Sequence, residues 1–224
     1  MKEWLEQEKQ KLKQLTRKQK LWYLWDYYRL WIIGGVSLLL VVGFLIGNYI
    51  RANRENYIYT LYVNTFAEIG QGSDFWQGYV DFCGVDTSQE NVIFDAQNYF
   101  DMSSGSVTGN HYYEKAVVLI DSGTVDAIVM ETENLALLGQ SGRLIDLQDD
   151  RTRALAEQYA DRLITVTHTD EAGNTREIPV GIDISDSKLV SQAQAYEDCA
   201  LGISAGAHHI EAVGQFLDYI LQGV

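Results

Sequence analysis

Glu131 and Glu133 follow the strand-like run VDAIVM, where α/β domains carry their functional loops. Paired carboxylates at such a place could do general acid–base work. The segment GIDISDSK sets Asp183, Ser185, Asp186 and Ser187 close together, an array of oxygens like that of a calcium loop. It lacks the glycine and the closing Glu of an EF-hand loop. Turn and helix-cap chemistry accounts for the same residues without an ion. His208 and His209 are adjacent, so on a helix their side chains diverge by about 100° and do not converge on one metal. They are expected in the first turn of the last helix. Cys83 lies in an apolar helical run and Cys199 at the start of a strand. Two buried thiols are the simpler account, and a disulfide between them remains open. The sequence carries no phosphate-binding glycine loop, no nucleophile elbow and no H-E-x-x-H pair. The expectation is therefore a non-enzyme without metal or cofactor.

A surface for a ligand or partner on an α/β sheet belongs beyond the carboxyl ends of the strands. The loops there are NTFAEIGQGS, AQNYFDMSSGS and ETEN, which supply Asn64, Phe66, Tyr99, Phe100, Glu131 and Asn134. Aromatic rings beside a few polar groups suit a pocket or an interface. Equally, Phe66 and Phe100 could simply cover the end of the sheet.

The elements that must position these residues are legible from their periodicity. Tyr57–Asn64, Asn91–Asp95 and Val125–Met130 read as strands. Ser73–Cys83, with Ser73 or Asp74 as cap and Gly84 as stop, reads as a helix, as do Asn110–Asp121, Asn134–Gln140 and Asp150–Ala160. Leu163–Thr167 and Glu177–Ile182 flank a polar turn and read as a hairpin. A helical or irregular stretch, Lys188–Ala195, precedes a strand at Ala200–Ser204. In the final helix, about His208 to Leu221, Ile210, Val213, Leu217 and Ile220 form one apolar stripe. The alternation of strands and helices predicts a three-layer α/β domain with a mostly parallel sheet.

The stretch TVDAIVMETENLALLGQSGRLIDL resembles extracellular solute-binding proteins of ABC importers. There a strand with an Asp leads through a helix to a Gly-plus-Leu turn and a "DL" step, here Asp126, Gly142, Leu144, Asp146 and Leu147. The preceding YYEKAVVLIDSG and the ending ALGISAGAHHIEAVGQFLDYIL are similar to parts of the same family. The resemblance implies a single-lobe solute-binding-protein-like domain. It departs from the family in length, because only a short hairpin stands where a second lobe would be inserted. One lobe cannot close over a solute, which implies a reduced form suited to contacting a partner protein.

The chain of 224 residues carries 17 Lys and Arg against 31 Asp and Glu, a net charge of −14. That balance argues against nucleic acid as a partner. The charge is unevenly placed. Residues 1–29 hold eight basic and four acidic side chains, and residues 51–224 hold nine and 27, so the two parts carry +4 and −18. Between them Leu30–Ile50 is uncharged, and as a helix of about 32 Å it matches the hydrocarbon thickness of a bilayer. The basic excess before the span predicts a cytoplasmic N-terminus. No small-x-small cleavage site follows it, so it is read as an uncleaved anchor rather than a signal peptide. Trp22, Tyr23, Trp25, Tyr27, Tyr28 and Trp31 are suited to the headgroup level, and LWYLWDYYRLWIIGG also resembles a group of uncharacterised single-span proteins of Gram-positive bacteria. Gly43 and Gly47 form a G-x-x-x-G pair that would permit close approach of another membrane helix.

The expected organisation is a juxtamembrane helix on the inner leaflet (1–29), a transmembrane helix (30–50), a short linker (51–56) and an extracellular α/β domain (57–224). The expected role is an accessory or binding module at the plasma membrane, in the bilayer and beside a multi-span subunit, with an ABC transporter as the partner. A stand-alone receptor for a small solute and a cell-envelope hydrolase are the alternatives. Whether a small molecule binds the single lobe is left open.

Overall fold

The computed structural model describes residues 16–222 apart from 53, 104, 106 and 170–172. It comprises two compact units, residues 1–54 and 55–224.

The first unit is built on helix α1 (Arg17–Ala52), 36 residues without a break. At 1.5 Å per residue it is about 54 Å long. Its segment Tyr28–Tyr49 is long and apolar enough to cross a membrane, and none of that segment is buried. The described part of the 1–29 region is thus the same helix as the span, not a separate one, and residues 1–15 lie outside the described residues. Because α1 runs to Ala52 and the first strand starts at Glu55, the expected linker is mostly taken up by these two elements.

The second unit alternates β1 (Glu55–Val63), α2 (Asp74–Cys83), β2 (Glu90–Asn98), α3 (His111–Asp121), β3 (Ala127–Met130) and α4 (Thr132–Gln140). Then follow α5 (Arg153–Gln158), β4 (Leu163–Thr169), β5 (Thr175–Asp183), α6 (Lys188–Ser191), β6 (Ala200–Ile203) and α7 (Ile210–Leu221). The caps of α2 are as expected. Ser73 accepts a hydrogen bond from the Trp76 amide, and Gly84 closes α2 in the left-handed conformation at φ 66°. Asn110 accepts from the amides of Tyr112 and Tyr113. Helix α5 is shorter than predicted. Asp146 and Asp149 accept from the amides of Gln148 and Arg151, and these local turns compete with helix over residues 146–152.

The described strands form one six-stranded sheet in the order β2-β1-β3-β6-β5-β4. It is mixed, not mostly parallel: β1 runs parallel to β2 and β3, while β3–β6, β6–β5 and β5–β4 are antiparallel. Two of the three antiparallel pairings follow from local returns of the chain, the β4–β5 hairpin and the turn from β5 into β6. A parallel neighbour needs a crossover that spans the sheet, usually a helix. The chain between β5 and β6 holds only four residues of helix, so it turns back at the same end and pairs Asp183 with Ala200.

Each face of the sheet buries its own core. Ile58, Tyr62, Val92 and Phe94 pack with Phe75 and Tyr79 of α2 and Phe216 of α7. Leu61, Val63, Ile128 and Met130 pack with Ile120 of α3 and Leu135 and Leu138 of α4. Adjacent β1 residues therefore serve opposite layers, the period-two rule of a strand covered on both sides. Gly139 lets α4 lie close to the sheet, since a Cβ there would sit 2.5 Å from Val180 Cγ2.

The amino end of the sheet is gathered by one carboxylate. Asp126, 1% exposed, accepts from the amides of Tyr59 (2.9 Å), His208 (3.1 Å) and His209 (3.0 Å), and lies 3.1 Å from His209 Nδ1. The two histidines precede α7 instead of lying within it, and only His209 meets Asp126 through its ring. Asp126→Ala should destabilise the second unit by about 3 kcal/mol or more, because it leaves several buried amides without an acceptor. Urea denaturation of this variant beside wild type checks the expectation.

Candidate binding site at the carboxyl end of the sheet

The six candidate residues do meet at one end of the sheet, in two arrangements. The first is a polar staple. Asn64 ends β1 in the left-handed region at φ 61°, which Asn tolerates better than most residues. Its Oδ1 accepts from the Phe100 amide at 3.1 Å and its Nδ2 donates to the Phe100 carbonyl at 2.9 Å. One side-chain amide thus pairs with residue 100 as a neighbouring strand would. Nδ2 also donates to Glu131 Oε2 at 3.1 Å, and Asn134 Nδ2 donates to the same oxygen at 2.8 Å. The Met102 amide donates to Asn134 Oδ1 at 2.7 Å. Two asparagines and one glutamate therefore clamp residues 100–102 between the ends of β1 and β3.

The second arrangement is an aromatic rim. Phe66 stacks on Tyr99 with ring centroids 5.2 Å apart and planes 23° from parallel. Tyr99 meets the Tyr112 ring edge-on at 5.6 Å. The two phenylalanines part company here. Phe100 is buried against Tyr113 and covers the end of the sheet, whereas Phe66 is 89% exposed. An open cleft of about 650 Å³ adjoins the rim, lined by Phe66, Glu68, Gln71, Gln97 and Tyr99 among others. A second, of about 680 Å³, lies beyond Asn64 and Glu131 and is lined by Gln194, Glu197 and Asp198. Asn64 and Gln194, the non-glycine residues with positive φ among those described, both border it.

Asp95 stands at the base of the rim and was not singled out from the sequence. It accepts from Lys115 Nζ at 2.6 Å, the Tyr59 hydroxyl at 3.0 Å and the Gln97 amide at 3.3 Å. Burial pushes its carboxyl up, but the hydrogen bonds from Lys115 and the Gln97 amide outweigh burial and hold it below the usual carboxylate range. Burial raises the Tyr59 hydroxyl, and the Asp95 charge raises it further. The twenty residues separating Asp95 from Lys115 hide the pair.

The other candidate constellations are engaged locally. Glu133 is exposed in the first turn of α4 while Glu131 is committed to the two asparagines. Asp183 accepts from the amide and hydroxyl of Ser185, and Asp186 is gripped by Arg162 through bonds of 2.6 and 2.8 Å. No group of three His, Cys, Asp or Glu among the described residues is placed to hold a metal ion. Cys83 and Cys199 are unbonded thiols. Cys199 is fully buried, and burial pushes its thiol up to about 12. Gly43 and Gly47 lie in α1, and a Cβ at either would meet nothing within 4 Å.

Two expectations follow from the division between staple and rim. Asn134→Leu should destabilise the second unit by about 1–3 kcal/mol and speed hydrogen exchange at the Met102 amide, since a buried acceptor is lost. Phe66→Ala should change stability by no more than about 0.5 kcal/mol. For Asp95, a lowered carboxyl contributes stability that is complete above pH ~4 and is lost as pH falls through its folded value. Urea titrations between pH 2 and ~6 should show that acid loss reduced in Lys115→Met, in which the carboxyl returns toward its ordinary range. Comparison with protein families, curated proteins and solved structures finds no match to this chain.

Proposed function

We propose that this protein is a membrane-anchored, non-catalytic binding module that serves a membrane complex from the outer face of the plasma membrane. The observation that carries the reading is the exposed Phe66, stacked on Tyr99 beside an open cleft. A stacked aromatic pair at the mouth of an open cleft, edged by polar side chains, has the make-up of a recognition surface. Asn64, Glu131 and Asn134 are committed to holding the loops, which supports recognition over reaction.

The anchor is α1, whose unburied apolar segment Tyr28–Tyr49 supports a single pass. The eight basic residues before it, against Arg51 and Arg54 after it, support a cytoplasmic N-terminus and an extracellular second unit. The resemblance of residues 124–147 and 200–221 to solute-binding proteins supports an ABC transporter as the complex and a single-lobe relative of those proteins as the outer domain. The docking elements are the aromatic segment from Trp22 to Trp31 and the Gly43–Gly47 face, with the Phe66–Tyr99 rim meeting the partner outside the membrane. The open cleft supports a second reading, a receptor for a small solute.

A protease added to intact protoplasts should digest the second unit and spare the N-terminal arm; protection of residues 57–224 would reverse the orientation. In mild detergent the chain should co-purify with a multi-span protein. Gly43→Leu with Gly47→Leu should reduce that recovery, since attraction between membrane helices depends on close approach. Phe66→Ala should reduce it without loss of fold. Unchanged recovery in both variants, or a lone chain in native membranes, would refute the accessory role. Binding of a sugar, amino acid or peptide to the full chain tighter than about 10 μM, about −7 kcal/mol, would favour the receptor instead.

A further inference from the structure

The sheet has two outer strands, and they are treated differently. On β2, Glu90 and the Lys115-paired Asp95 place charged groups on the strand, and the β1–β2 ladder is irregular at two points, against one in the β4–β5 ladder, at Ile164/Thr165. Charges and bulges are the usual protection of an open edge against pairing with another chain. On the other side β4 reads LITVTHT, with neither an acidic nor a basic residue other than His168, and no proline. Five of its seven residues are β-branched. No backbone hydrogen bond beyond the hairpin joins β4 to any described residue. From Thr165 to Thr169 it pairs with β5 in unbroken register, so one row of its amides and carbonyls points away from the sheet.

We infer that β4 is a homotypic docking edge, on which the β4 strand of a second copy pairs antiparallel to continue the sheet through a two-fold axis. The strand's own pattern selects this occupant. An antiparallel pair centred on Thr167 sets Thr167 against Thr167, Thr165 against Thr169 and Val166 against His168. Thr165, Thr167 and Thr169 are exposed and lie on one face, whereas Val166 is buried on the other. Every threonine therefore meets a threonine, a favourable cross-strand pair, while on the other face Val166 meets the His168 ring, which is held by the Gln140 carbonyl at 3.2 Å. Charge points the same way. Residues 51–224 carry −18, so most surfaces of two copies repel, while β4 brings no like charges together. Arg162, just before the strand, is already neutralised by Asp186 at 2.6 Å.

Thr167 provides the test, because it is exposed and would face its own copy across the axis. Opposed residues in an antiparallel pair lie about 4.5–5.5 Å apart at Cα, within reach of a disulfide. The full chain carrying Thr167→Cys, oxidised in native membranes, should give at least tenfold more reducible dimer than Glu157→Cys, an exposed control on α5. No excess over that control would overturn the inference. In mild detergent, Thr165→Lys with Thr169→Lys should weaken the wild-type dimer at least tenfold in sedimentation, with the far-ultraviolet circular dichroism unchanged. Thr165→Lys with Thr169→Glu should keep the dimer, because opposite charges then face each other across the axis. A wild-type chain that sediments as a monomer throughout, or two double variants that behave alike, would overturn it too. These outcomes do not depend on the transporter partner, so the dimer and the accessory role stand or fall separately.

Discussion

A single buried carboxylate sets the frame on which the second unit depends. Asp126 sits at the start of β3 and accepts amides from β1 and from the turn that launches α7. A carboxylate out of water is tolerated only when its oxygens are well supplied with donors, and here backbone groups supply them. The backbone geometry of three elements is thereby fixed by one side chain. β1 and β3 also carry, at their far ends, the residues that form the candidate site. The amino end of the sheet is thus a rigid foundation, and the spacing of Asn64 from Glu131 at the other end follows from it.

At that other end the chemistry is amide-like. Asn64 offers the donor and acceptor of a peptide group where no strand continues, and the loop after β2 is held as though it were still in a sheet. Asn134 supplies half of the device two residues further on, accepting from the Met102 amide while its own NH2 group donates to Glu131. These bonds, together with the buried Phe100, hold the loop in place, which leaves the rim free to project. The rim and staple therefore answer to different forces. One is side-chain surface in water, and the other is satisfied hydrogen bonding beneath it.

Much of this was legible in the sequence. Strand and helix positions follow from periodicity, and Ser73 and Gly84 mark the ends of α2, one by its side-chain acceptor and the other by its freedom at positive φ. The gathering of Asn64, Phe100, Glu131 and Asn134 follows from strand polarity alone. What escaped was long-range. Strand direction depends on which end of the sheet a connection returns to, and a stretch such as Lys188–Ala195 reads as helix or coil equally well. The Asp95–Lys115 pair and the bonds around Asp126 join residues far apart in sequence, and no local pattern signals them. The opposite fates of Phe66 and Phe100 follow from tertiary packing, not from residue type.

The exposure of Phe66 has an evolutionary side. Residues that hold a fold can change only within narrow limits, since each exchange must also keep the chain folded. Phe66 lies almost wholly in solvent, and Gln71 and Gln97 are exposed beside it. Their replacement leaves the scaffold intact. Drift at the rim is thereby uncoupled from drift in the framework, so single substitutions can reshape this surface while the asparagine clamp and Asp126 go on holding the fold.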